Sequence, residues 1–168
     1  MLRCQDFVAW IEGFGVDFYA GVPDSLLKPL CFYLSDHAGD KHVVAANEGG
    51  AVALACGHHL ATGNVPLVYL QNSGQGNTIN PLLSLASRDV YGIPMLLLIG
   101  WRGEPGTKDE PQHMKQGKVT ASLLDTMDIP YRVLPTEPAD ARRCVDELLT
   151  IAAVKSRPVA LMVRKDTF

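Results

Sequence analysis

The sequence predicts a doubly wound α/β domain, a mostly parallel sheet of about six strands with helices on both faces. Three observations carry that expectation. Short apolar runs of β-forming residues recur at regular intervals along the 168 residues. They are mostly apolar throughout instead of alternating, as strands covered on both faces are. Helical patterns fill the gaps between them.

Taken in order, strands are expected over residues 16–20, 42–46, 67–70, 95–99, 131–134 and 159–163, bounded closely by Gly and Pro. A helix over 25–35 follows from Leu26, Leu27, Leu30 and Leu34 at helical spacing. A second, almost wholly apolar helix opens at Asn47-Glu48 and runs to Leu60, and a third contains Leu82, Leu83 and Leu85. Cys144, Val145, Leu148, Leu149 and Ala152 mark a fourth over 139–154. The polar stretch 100–116, with Gly103, Pro105, Gly106 and Pro111, reads as a mobile substrate loop.

Composition narrows the function. With 47% hydrophobic and 20% charged residues, the chain can bury one sizeable core, and a single domain over 1–168 is expected. A net charge of −3, with Lys and Arg scattered, leaves no footprint for nucleic acid. Cys4, Cys31, Cys56 and Cys144 stand far apart with no C-x-x-C pair, so they read as buried, reduced thiols. Asp6 and Glu12 interrupt any signal-type run, and the most apolar stretch, 93–99, is too short to span a bilayer. The expectation is a cytoplasmic protein that handles a small molecule, without nucleic acid or membrane.

In such sheets ligands collect beyond the carboxyl ends of the strands. The segment Asn47-Glu48-Gly49-Gly50-Ala51 follows the second strand and opens the apolar helix. Glu48 either complements the helix dipole, worth about 0.3–1 kcal/mol, or serves chemistry. In the second reading Gly49, Gly50 and Ala51 let a flat ligand lie close to the backbone. A desolvated Glu48 beside it could then exchange a proton with a ring nitrogen. Gln71-Asn72-Ser73-Gly74-Gln75-Gly76-Asn77 follows the third strand and is neither a dinucleotide fingerprint nor a nucleophile elbow. Gly21-Val22-Pro23-Asp24-Ser25 reads as a turn with a helix cap. His113, beside Glu110 and Gln112, is either a solvated or a catalytic loop histidine. His58 and His59 lack metal-type spacing and read as structural.

These three segments, together with Asp109-Glu110-Pro111-Gln112-His113, resemble in order the N-terminal, pyrimidine-binding domain of thiamine diphosphate-dependent 2-oxo acid decarboxylases. Within that family the likeness is to the phosphonopyruvate decarboxylases and the related sulfopyruvate decarboxylases. The resemblance implies that Glu48 bonds the aminopyrimidine ring nitrogen of thiamine diphosphate and so promotes deprotonation of the thiazolium carbon. It implies cofactor contacts at Gly49, Asn72, Ser73 and Gln75, and proton transfer and orientation by Asp24 and His113. Ser25, Gln112, Lys108 and Lys115, with Arg102, would then face a small anionic 2-oxo acid.

Phosphonopyruvate, giving phosphonoacetaldehyde and CO2, is the implied substrate. The alternatives are a sulfopyruvate decarboxylase alpha subunit or a non-catalytic, partner-binding domain. The family holds Mg2+ through a Gly-Asp-Gly segment and a later Asn. No Gly-Asp-Gly occurs here, and Gly39-Asp40-Lys41 falls between a helix and a strand at the wrong end of the fold. Mg2+ ligands are therefore expected from a diphosphate-binding domain or beta subunit, in an oligomer, with none in this chain.

Overall fold

The computed structural model describes residues 1–168. Its strands are β1 (Val16–Gly21), β2 (His42–Val44), β3 (Val65–Gln71), β4 (Met95–Gly100), β5 (Tyr131–Val133) and β6 (Pro158–Val163). Its helices are α1 (Cys4–Gly13), α2 (Lys28–His37), α3 (Glu48–Thr62), α4 (Gln75–Pro81), α5 (Pro111–Thr126) and α6 (Pro138–Lys155). The sheet order is β2-β1-β3-β4-β6-β5, and every pairing is parallel. All six expected strands are present, in a sheet that is wholly and not just mostly parallel.

Successive side chains of a strand point to opposite faces, so a strand covered on both must be apolar at every position. In β4, Leu96 and Leu98 join one core with α1, α2 and α6, while Met95, Leu97 and Ile99 join the other with α3 and α5. All five are at most 2% exposed.

Four elements depart from the sequence reading. The helix expected to contain Leu82, Leu83 and Leu85 ends as α4 at Pro81, and those leucines lie in a π-helical turn over Leu82–Ala86. α1 was not expected; Phe7, Val8 and Ile11 bury its inner face against α2 and α6. α2 starts at Lys28, not at residue 25, because the Asp24 carboxylate accepts the N–H groups of Leu26 and Leu27 and holds them in a turn. The stretch 100–116 is not one loop: Pro111 sits in the first turn of α5, where its missing N–H costs nothing. The polar residues before it are bonded to one another. Asp109 accepts from the Arg102 guanidinium at 2.8 and 2.5 Å and from the Gly103 and Glu110 N–H groups at 2.8 Å each.

α3 is fixed at both ends. The Asn47 side chain accepts the Gly50 N–H at 2.8 Å, and Gly63, at φ +79°, closes the far end in the left-handed region. There His58 meets Asp17 at 2.8 Å and stacks on Phe18, with Asn64 donating to the same carboxylate. Burial opposes ionisation of Asp17, but His58 and Asn64 outweigh it and hold its carboxyl below the usual range. His58 thus ties the amino end of the sheet to α3, the structural role expected of it.

All four cysteines are free, and burial raises each thiol, Cys56 up to about 11, which makes them poor nucleophiles. Cys31 and Cys56 are buried as expected, whereas Cys4 and Cys144 are half-buried. No helix is long and apolar enough to cross a membrane.

Candidate active site

The chain runs from β1 outward to β2 and then returns to β3 on the other side of β1. The carboxyl ends of β1 and β3 therefore flank a switch point, where doubly wound sheets open a crevice. Asp24 follows β1, Glu48 follows β2 and the segment from Asn72 follows β3.

Glu48 is the first residue of α3 and is half-buried. Its Oε2 accepts from the Asn77 side chain at 2.7 Å, and Oε1 has no hydrogen-bond donor within the chain. The carboxylate lies on Gly74, where a Cβ would collide with it. Gly49 makes a close approach of another kind: a Cβ there would lie 2.7 Å from the Asn77 carbonyl of α4. Its smallness is thus already used for packing α3 on α4. The desolvated surroundings expected for Glu48 are not completed by this chain, since one side of the carboxylate remains open.

Asp24 has the opposite environment. It is 5% exposed, and besides the two N–H groups of the turn it accepts from the Gln71 side chain at 2.7 Å. Gln71 in turn accepts from Ser73 at 2.7 Å. Asp24, Gln71 and Ser73 so form a chain of bonds across the ends of β1 and β3.

Asn72, 1% exposed, donates to the Arg102 carbonyl at 2.8 Å and to Thr120 at 2.9 Å, and accepts the Arg102 N–H at 3.1 Å. Every polar atom of its amide braces β3 against the β4–α5 loop. Gln75 is also 1% exposed; its nitrogen donates to the Thr120 carbonyl at 3.2 Å, while Oε1 is buried without a partner. His113 lies in the first turn of α5, not in a loop, and its Nδ1 is likewise buried and unpartnered.

The expected substrate residues separate. Ser25 accepts from Arg102 at 2.9 Å, and both line a cavity with Lys108. Gln112 and Lys115 are exposed on α5 and do not line it. Arg102 is not a free counter-charge, because Asp109 takes its guanidinium edge-on. That hydrogen-bonded pair holds the Asp109 carboxyl well below the ordinary carboxylate range.

Asn77, Thr120 and Asp109 escaped the sequence reading as partners. Asn77 and Asp109 had a local signal, each standing at one end of a segment singled out in the sequence, whereas Thr120 had none. No group of three or more His, Cys, Asp or Glu side chains stands close enough to hold a metal ion. A cofactor with a protonatable ring nitrogen fits the open Oε1 of Glu48, whereas its metal finds no donor set here.

Comparisons with known proteins give the family and the fold. Residues 4–127 match the family described as thiamine pyrophosphate enzyme, N-terminal TPP binding domain. A phosphonopyruvate decarboxylase from Streptomyces viridochromogenes is 40% identical over 135 residues, 80% of this chain and 33% of that protein. The sulfopyruvate decarboxylase subunit alpha of Methanothermobacter thermautotrophicus is 33% identical over 155 residues, 92% of this chain and 91% of the subunit. The fold is shared with benzoylformate decarboxylase from Polynucleobacter necessarius, at a TM-score of 0.70 and 19% identity, over 98% of this chain and 30% of that one. The chain spans about a third of the length of the phosphonopyruvate decarboxylases it matches.

Proposed function

The chain belongs to the thiamine pyrophosphate enzyme family as its N-terminal TPP binding domain, and from that premise we propose that it is the cofactor-activating half of a phosphonopyruvate decarboxylase. Thiamine pyrophosphate is thiamine diphosphate; when bound, it supplies the electron sink that lets a 2-oxo acid lose CO2.

The observation that carries the reading is Glu48. It stands at the switch-point crevice with one oxygen steadied by Asn77 and the other open. A carboxylate so placed can hold and return a proton at a ring nitrogen, provided that water is excluded from its open side. Gly74 provides the floor on which the carboxylate rests. Gly49 and Asn72, packed against their own chain, support the crevice from behind, Ser73 and Gln75 follow Asn72 at the end of β3, and Gln75 Oε1 has no partner within the chain. His113, with its unpartnered Nδ1, is the candidate for moving a proton at the substrate. Asp24, bonded on both oxygens, orients the Ser25 end of the loop.

The diphosphate and its Mg2+ would be held by a second domain or a beta subunit, which also covers the open side of Glu48. This implies an oligomer, placed here in the cytoplasm. The alternative is a sulfopyruvate decarboxylase alpha subunit, favoured by one observation: the match to such a subunit covers 92% of this chain, against 80% for the phosphonopyruvate decarboxylase.

The test is reconstitution. This chain, a diphosphate-binding partner, thiamine diphosphate and Mg2+ are mixed, and CO2 release is followed from phosphonopyruvate and from sulfopyruvate. Release that requires both chains supports the reading, and the preferred acid separates the two alternatives. No release from either acid leaves a non-catalytic binding domain.

A further inference from the structure

A cavity of about 530 Å³ lies where the β1–α2 loop, the β4–α5 loop and the C-terminal tail meet. Trp101 and Phe168 give it apolar wall, and Ser25, Lys28, Lys108 and Lys165 bring polar groups to it. Its charges are unevenly matched. Arg102 is paired with Asp109, and Glu104 with Arg164. Lys28, Lys108 and Lys165 make no ion pair, and Asp166 is the one acid of the lining left without a basic partner. Lys28 lies over the Phe32 ring at 5.6 Å, a contact that steadies the ammonium without neutralising it. The lining therefore carries four cations against three acids, and its unpaired cations are lysines and not its arginine.

Planar carboxylates suit the guanidinium fork, and here Asp109 already fills it. An incoming anion is therefore met by ammonium groups, which bind phosphate-type oxygens as point charges approachable from several directions. A chain of hydrogen bonds links the cavity lining to the crevice residues. Ser25, in its lining, follows Asp24 directly, and Asp24 is bonded through Gln71 to Ser73, the residue before the glycine beneath Glu48.

Resting on the function proposed above, we propose that this cavity receives the phosphonate or sulfonate end of the 2-oxo acid, with Lys28, Lys108 and Lys165 as the specificity-determining residues. Lys115, exposed on α5, has no part in it. The tetrahedral acid group is held among the three ammonium groups while the keto carbon points toward the crevice.

The test uses 3-phosphonopropionate, which has both acid groups but no keto group to react, titrated into the full chain by calorimetry and backbone amide NMR. Lys28→Gln, Lys108→Gln and Lys165→Gln should each weaken binding about tenfold, the worth of one charge-assisted hydrogen bond. Lys118→Gln, an exposed α5 lysine outside the cavity, should leave binding unchanged. Propionate should bind at least about tenfold more weakly than its phosphonate analogue by the same reasoning. Affinity should also fall as salt rises.

Because all three lysines are exposed, circular dichroism should show the variants folded. Equal binding of both probes, wild-type affinity in all three variants, or no binding by the wild-type chain would overturn the proposal. If instead phosphonopropionate binds as described and the reconstituted complex releases no CO2, the fault lies in the proposed activity and not in the cavity.

Discussion

Two carboxylates stand after neighbouring strands of one sheet and are treated in opposite ways. Asp24 is buried with three donors on its two oxygens, while Glu48 is half-buried with one donor on Oε2 and none on Oε1. A carboxylate ligated by its own chain organises the fold and has little left to give a ligand. A carboxylate left open at a switch point is the one with capacity to spare. On the proposed function, the chemistry falls to Glu48 and the architecture to Asp24.

Four substitutions can break or sharpen that contrast. The largest effect is expected from Asp24→Ala, which strands two N–H groups and the Gln71 amide. It should lower the unfolding free energy by about 2–4 kcal/mol, read from urea denaturation of the chain alone. A loss below about 0.5 kcal/mol, the level of an ordinary surface change, would remove Asp24 from its structural role.

Gly74→Ala should come next. Its backbone has a negative φ, so the new methyl group strains nothing but the Glu48 carboxylate it displaces. Turnover in the reconstituted complex should drop about a hundredfold, or about 2.7 kcal/mol of barrier, with the fold retained. Undiminished turnover would mean that the seat of Glu48 is irrelevant.

Asn77→Ala removes the donor on Oε2 and should slow turnover by less than about tenfold, the worth of a hydrogen bond to a charged group that water can replace. A loss as large as that of Gly74→Ala would make Asn77 a partner and not a support.

The smallest effect is set by pH. Hydrogen bonds from Arg102, opposed in part by burial, hold the Asp109 carboxyl below its unfolded value. A depressed folded-state pKa adds stability above the unfolded pKa of about 4, and that stability is lost as pH falls toward the folded value. Asp109→Asn should flatten the decline of stability below about pH 4 in an acid titration followed by circular dichroism. An unchanged profile would show the Arg102 pair to be without weight.

The same contrast marks what was legible in the sequence. The central strands were readable because a sheet covered on both faces writes itself as runs such as Met95 to Ile99, apolar at every position, while the edge strands β2 and β5 are shorter and only partly buried. Glu48 was readable because a lone acid opens an apolar helix directly after a strand. The first turn of α5 was not, since Pro111, Gln112 and His113 show no apolar period and Gly106 and Pro105 precede them. The late start of α2 depends on where two N–H groups find the Asp24 carboxylate, which leucine spacing does not reveal. Arg102 looked like a free cation because its partner lies seven residues away across a loop. Asn72 looked like a ligand-facing amide because Thr120, its partner, is 48 residues away. Local pattern identifies which residues are unusual, and tertiary bonds decide which of them remain available.

The most direct measurement is hydrogen–deuterium exchange at the thiazolium C2 of thiamine diphosphate bound to the reconstituted complex, for wild type and Glu48→Gln. If the open oxygen of Glu48 is what activates the cofactor, the variant should exchange about 10²–10⁴-fold more slowly, the range for loss of a general acid–base group. Equal exchange rates in the two proteins would contradict the assignment.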